Sequence, residues 1–196
     1  RTAFMPKGST ITRFNNIKAE GADVTIEEVN YDECVRMAAD AASKTEHGVV
    51  VQDTAWDGYE EIPAWIMQGY GTMAMEAGEQ LKAQGCERPT HIFVQAGVGS
   101  LAGAVVGYFS NLYADNLPTF VVVEAEAAAC LYKGAAAGES GAAPFGALAA
   151  MMTMDEYKDL RNDIGLDENS KVLLFSTEGD TDPDRYKNIV WKGLDK

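Results

Sequence analysis

The chain has 196 residues, 46% of them hydrophobic and 23% charged, enough to bury a proper core in one or two domains. A formal net charge of −14 argues against nucleic acid or an anionic membrane as partner, because long-range repulsion opposes both. Any bound phosphate must then be held by local N–H geometry rather than by a basic field.

In chain order, residues 1–7 (RTAFMPK) read as the end of a strand reaching a loop at Pro6 and Gly8. They begin abruptly, as though cut from something longer. Ile11, Phe14 and Ile17 give weak helical spacing over 9–17, which Gly21 stops. Residues 22–29 alternate as a short strand, and Asn30-Tyr31-Asp32 caps a helix from Asp32 to Ser43. Gly48 leads into Val49-Val50-Val51, which reads as a continuous buried strand. Residues 52–63 (QDTAWDGYEEIP) form a loop just beyond that strand's carboxyl end, where open α/β sheets hold their ligands. Pro63 suits the first turn of a helix running to about Gln84.

The organising stretch is HIFVQAGVGSLAGA, residues 91–104: an apolar strand, a glycine turn, and a helix from Leu101 to about Ala114. Pro118 precedes a strand over 119–124, and alanine and glycine dominate 125–150. A polar helix over 155–163 and a buried strand over 172–175 follow, the latter ending in polar residues 176–182. Tyr186 to Trp191 closes the chain. Strands alternating with helices, and unbroken valine runs, imply an α/β fold around a mostly parallel sheet. Cys34, Cys86 and Cys130 lack any CxxC or Cys/His spacing, which reads as reduced thiols and no zinc or other metal site. No apolar stretch has membrane-spanning length and no signal-peptide layout opens the chain, so the expected location is cytoplasmic.

Three constellations carry chemistry. Gly97 and Gly99 let the backbone turn sharply and approach a ligand, and the first free N–H groups of the next helix then face that ligand. Ser100 can add a hydroxyl donor. This favours a phosphate held by Gly97, Val98, Gly99, Ser100 and Leu101. Gly97-x-Gly99-x-x-Ala102 with Glu124 ending the next strand fits a dinucleotide-binding unit about as well, and a plain strand-to-helix turn is the bland alternative. Asp53, flanked by Thr54 and Trp56, is a candidate proton-transfer group, because a partly apolar pocket can raise a carboxyl toward a working range. Its bland alternative is a loop cap. Ser176 and Thr177 end a strand opposite the glycine turn. A hydroxyl there can hydrogen-bond a heterocyclic nitrogen without protonating it, or close a turn on its own backbone. Asp57, Glu60 and Glu61 read as a solvated face, and neither His47 nor His91 is given a role. No GxSxG, HExxH or Walker A sequence occurs.

Taken together these residues resemble a family. AGVGSLAG is similar to the phosphate loop of the tryptophan-synthase-type (fold type II) pyridoxal-phosphate enzymes, and GESGA and STEGDTD resemble later motifs of that fold. VVVQDTAWDGYEEIPAWIMQGYGTM, with FMPKG, R-x-x-NI and NYD before it, resembles the diaminopropionate ammonia-lyases over nearly the whole chain, which decides against the dinucleotide alternative. The resemblance implies a three-layer fold type II architecture with residues 1–52 left from a smaller domain and 53–196 forming the larger, cofactor-binding one. It implies pyridoxal 5'-phosphate as cofactor, a small amino-acid substrate, and a homodimer. The reaction implied is α,β-elimination on 2,3-diaminopropionate, giving pyruvate and ammonia. Asp53 corresponds to the base for the L-isomer, 97–101 to the phosphate loop, and Ser176 or Thr177 to the partner of the pyridine nitrogen. A serine or threonine dehydratase, or a non-catalytic binding remnant, is the alternative. Two departures stand out. No S-x-N-x-K-type Schiff-base lysine motif is present, none of Lys7, Lys18, Lys44 or Lys82 having that context; in the family the lysine and a second acid lie upstream. Cys130-Leu131-Tyr132-Lys133 also runs almost directly into Gly138-Glu139-Ser140-Gly141, where the family carries a long segment. The chain is therefore expected to be incomplete, with residues missing near Lys133 and Gly134, and unable to attach the cofactor covalently.

Overall fold

A computed structural model describes residues 1–124 and 143–177. Residues 1–51 form one compact unit, and the described residues from Gln52 onward form another. In the first, strands β1 (Thr2–Met5) and β2 (Asp23–Ile26) pair in parallel, with Thr2 opposite Asp23. Helix α1 (Ile11–Ala19) connects them, and α2 (Tyr31–Ser43) packs against β1. The α2 helix starts where it does because the Asn30 side chain accepts the Glu33 N–H at 2.9 Å, satisfying a first-turn donor. Cys34 is buried on this helix, and burial, then Glu27 and Glu33, push its thiol pKa up.

The second unit is built on β3 (His91–Ala96), flanked in parallel by β4 (Thr119–Glu124) and β5 (Val172–Leu174). His91 stands opposite both Thr119 and Val172, so all three strands end at the same edge. Two helices, α3 (Glu61–Ala83) and α4 (Ser100–Leu112), pack together beside the sheet. Small residues bring them close: a side chain at Gly103 would meet the Met67 sulfur at 3.3 Å. Ile92 and Val94 of β3 form a core with Ala74, Ala102, Val105, Phe109 and Phe175. Strand alternation turns His91, Phe93 and Gln95 the other way. There α5 (Ala143–Thr153) packs on β3 and β4, followed by a 3-10 turn (Asp155–Tyr157) and α6 (Lys158–Asp163). His91 is buried there, its ring bonded to the Thr90 hydroxyl at 2.8 Å and the Ile164 carbonyl at 2.9 Å, which is a structural role. No described helix is long and apolar enough to cross a membrane.

One expected element is absent. Val49-Val50-Val51 forms no strand, and Val49 and Val51 are 64% and 74% exposed. Valine favours a pleated, half-buried surface rather than the strand state as such, and the sheets among the described residues offer this run no neighbour. The junction near Lys133, Cys130, GESGA, all of STEGDTD beyond Thr177, and Tyr186–Trp191 lie outside the described residues.

Candidate active site

The glycine turn leaves β3 at Ala96 and enters α4 at Ser100. Gly99 is the helix N-cap with φ of +96°, a left-handed conformation that a side chain makes costly. Gly97 differs from the expectation. Its φ is not positive and a Cβ there would meet nothing within 4 Å, so the fold alone does not require glycine at 97. No side chain caps the helix, whose turn closes with Gly103 N–H to the Gly99 carbonyl at 2.8 Å. The amides of Ser100, Leu101 and Ala102 precede that closure and are free of the i→i−4 ladder.

Asp53 reaches the turn from a loop. The Ser100 hydroxyl donates to the Asp53 main-chain carbonyl at 2.6 Å, so it ties this loop down. The loop is also braced internally. Gln52 accepts the Thr54 N–H and donates to the Thr54 carbonyl, and the Tyr59 hydroxyl bonds both the N–H and the carbonyl of Gln52. A tight turn at Asp57-Gly58 stacks Trp56 on Tyr59 with ring centroids 4.2 Å apart. From α3, Tyr70 lines the same cleft as Asp53. Partial burial first, then the nearby Asp53 carboxylate, push the Tyr70 phenol above its usual range, so it remains protonated at neutral pH.

Beyond β5, Ser176 and Thr177 are exposed at the same edge. The Gln95 side-chain amide donates to the Thr177 hydroxyl at 2.7 Å. Gln95 is only 7% exposed, and its Oε1 has no partner among the described residues.

These segments line one open cleft of about 740 Å³, within the range of small-molecule sites. All eight residues singled out in the sequence are on its wall: Asp53, Gly97, Val98, Gly99, Ser100, Leu101, Ser176 and Thr177. Asp53 is the single charged side chain among the described residues there, so the polar groups that the described wall offers an anion are main-chain amides, hydroxyls and the Gln95 amide. The space above Gly97, the uncapped α4 amides and the hydroxyls across the cleft fit a phosphorylated heterocycle, with a carboxylate beside it to move a proton. Sequence reading missed Tyr70 and Gln95, which also line the cleft. Tyr70 carried a signal: it sits one turn from Met67 and Ala74 on the packed face of α3, where a polar tip needs a partner.

The chain is similar to known proteins over nearly all its length. It is 39% identical to the diaminopropionate ammonia-lyase of Salmonella typhimurium over an aligned 257 residues, covering 97% of this chain and 63% of that protein. The chain thus spans about 63% of the length of the curated relatives it matches. The aligned stretch exceeds the chain's own 196 residues, so the relative carries positions within the match that this chain lacks. The crystal structure of the Escherichia coli diaminopropionate ammonia lyase in apo form superposes with a TM-score of 0.86 at 38% identity, covering 98% of this chain and 62% of that one. A fungal L-serine ammonia-lyase from Rhizomucor miehei shares the fold at 14% identity, with a TM-score of 0.66 over 95% of this chain and 72% of that one. The pattern of the pyridoxal-phosphate-dependent enzymes matches residues 2–171, and the chain belongs to that family.

Proposed function

We propose that this chain is the cofactor-binding part of a lyase that performs α,β-elimination on 2,3-diaminopropionate, giving pyruvate and ammonia. The observation carrying the proposal is that Asp53, the turn 97–101 and the pair Ser176–Thr177, three distant stretches, line a single cleft. When bound, pyridoxal 5'-phosphate supplies the electron sink for carbanion chemistry. The amides of 97–101 hold its phosphate, and Ser176 or Thr177 donates a hydrogen bond to the ring nitrogen. A neutral donor leaves that nitrogen unprotonated, which suits elimination over transamination. The Asp53 carboxylate takes the α-proton of the L-isomer. The same reading carries a homodimer in the cytoplasm, a smaller domain represented by residues 1–52, and a missing segment near Lys133 consistent with the longer aligned stretch of the relative.

The covalent attachment point is not among the lysines of this chain. Borohydride reduction of the chain with added cofactor therefore leaves all cofactor dialysable, whereas covalent trapping would overturn that part. With the lysine-bearing segment of the relatives supplied ahead of Arg1, Asp53→Asn lowers turnover of L-2,3-diaminopropionate by about 10²–10⁴-fold, the usual worth of a general base, and leaves cofactor absorbance in place. Undiminished pyruvate release removes Asp53 from the mechanism. Turnover of L-serine in preference to the diamine would make the protein a dehydratase instead.

A further inference from the structure

We infer that Gln95 is a positioning residue for Thr177: its amide occupies one side of the Thr177 hydroxyl oxygen and leaves the hydroxyl hydrogen to be donated into the cleft. Thr177, rather than Ser176, is then the donor to the cofactor's ring nitrogen. This last step rests on the reading of the cleft as a pyridoxal-phosphate site.

Gln95 follows Ile92, Phe93 and Val94 of β3, all fully buried, stands opposite Val123 of β4, and is itself 7% exposed. A side-chain amide in such a place costs free energy unless it is bonded, and here the cost is only partly offset. One N–H reaches the Thr177 hydroxyl at 2.7 Å, whereas Oε1 meets no partner among the described residues. An apolar side chain of similar length would serve the core better, so the use of the amide lies in the bond it makes. That bond joins two residues 82 positions apart, both on the wall of the cleft. A threonine hydroxyl has one hydrogen to give and two lone pairs to accept with. With an N–H on one lone pair the oxygen is held, and its hydrogen points away from the amide. Among the described residues that hydrogen has no acceptor, and Thr177 is exposed, so the cleft is left for it to address. Accepting a hydrogen bond also makes a hydroxyl a better donor, because linked bonds polarise one another.

The brace is read on the cofactor-free chain. In isotope-labelled protein the Gln95 side-chain amide is assigned by its loss in Gln95→Met, and Thr177→Val, which keeps the shape but removes the oxygen, shifts that resonance. Its use is read with two ligands, pyridoxal phosphate and the deaza analogue in which a C–H replaces the ring nitrogen. Relative to Thr177→Val, wild type favours the natural cofactor over the analogue by about threefold to tenfold, the worth of one neutral hydrogen bond. Thr177→Ser keeps that preference and Gln95→Met cuts it by about twofold or more. The double variant is no worse than Thr177→Val alone, because the two side chains act as one unit. Gln95→Asn, one methylene short of the hydroxyl, gives the same result should Gln95→Met not fold. An amide resonance indifferent to Thr177→Val, or a preference lost in Ser176→Ala instead, overturns the inference. If the amide senses Thr177→Val but wild type binds neither ligand, the cofactor reading fails, and with it the donor role, while the brace stands. If both ligands bind and the preference ignores Gln95, the cofactor reading survives and Gln95 is excluded.

Discussion

Two glycines in one turn differ in what the backbone asks of them, and single substitutions separate the roles proposed for them. Gly99 sits at φ +96°, so Gly99→Ala imposes a backbone cost of about 1–2 kcal/mol whether or not a ligand is present. Gly97 has an ordinary φ and open space where its Cβ would be. Gly97→Ala therefore leaves urea unfolding of the cofactor-free chain within about 0.5 kcal/mol of wild type. Its effect falls on the ligand, because the methyl group stands where a phosphate must approach the amides, and pyridoxal phosphate affinity drops by about tenfold or more. Equal stability losses in both variants, or unaltered affinity in Gly97→Ala, would mean that the turn is merely a connection. Ser100 adds a caution about reading donors from sequence. Its hydroxyl, expected to face a phosphate, is committed to the Asp53 carbonyl.

Among the elements, those with two consistent local signals were legible in sequence. The strand 119–124 was bounded by Pro118 and by its valine run, and α3 began beside Pro63 as first-turn chemistry predicts. Val49-Val50-Val51 had composition alone, and composition cannot say whether a neighbouring strand exists to complete the ladder. The site was legible where residue type and chain geometry coincide, in the glycine turn and the strand ends. Tyr70 and Gln95 were not, because their roles depend on which helix or strand packs beside the cleft. That packing has a hub in Phe109, fully buried on α4, T-shaped against Tyr108 and in ring contact with Tyr113 and Phe175. Phe109→Ala should cost about 3–5 kcal/mol in urea unfolding, since full burial against three rings leaves little room to collapse around the cavity. Phe175 immediately precedes Ser176 and Thr177, so the same variant loosens the far wall of the cleft. A cost near 1 kcal/mol would show that α4 is held mainly by its other contacts.

For the whole molecule, 30 acidic residues against 16 lysines and arginines set a field that opposes the phosphate proposed for the glycine turn. Binding must therefore be a local gain from aligned amides exceeding a long-range penalty. The two respond differently to salt. Raising ionic strength from about 0.01 to 0.1 M shortens the Debye length from about 30 to 10 Å, which screens charges spread over the surface but hardly touches N–H groups in contact with a phosphate. A pocket that relied on lysine or arginine would weaken over that range, as charge-paired sites do. This cleft, with Asp53 as its one described charged side chain, should instead bind pyridoxal phosphate more tightly, by about twofold or more, as the repulsion is screened. Titration of cofactor absorbance or tryptophan fluorescence in sodium chloride reads the sign directly. An affinity that falls with salt would place a cation against the phosphate and remove the amide-only account of the site.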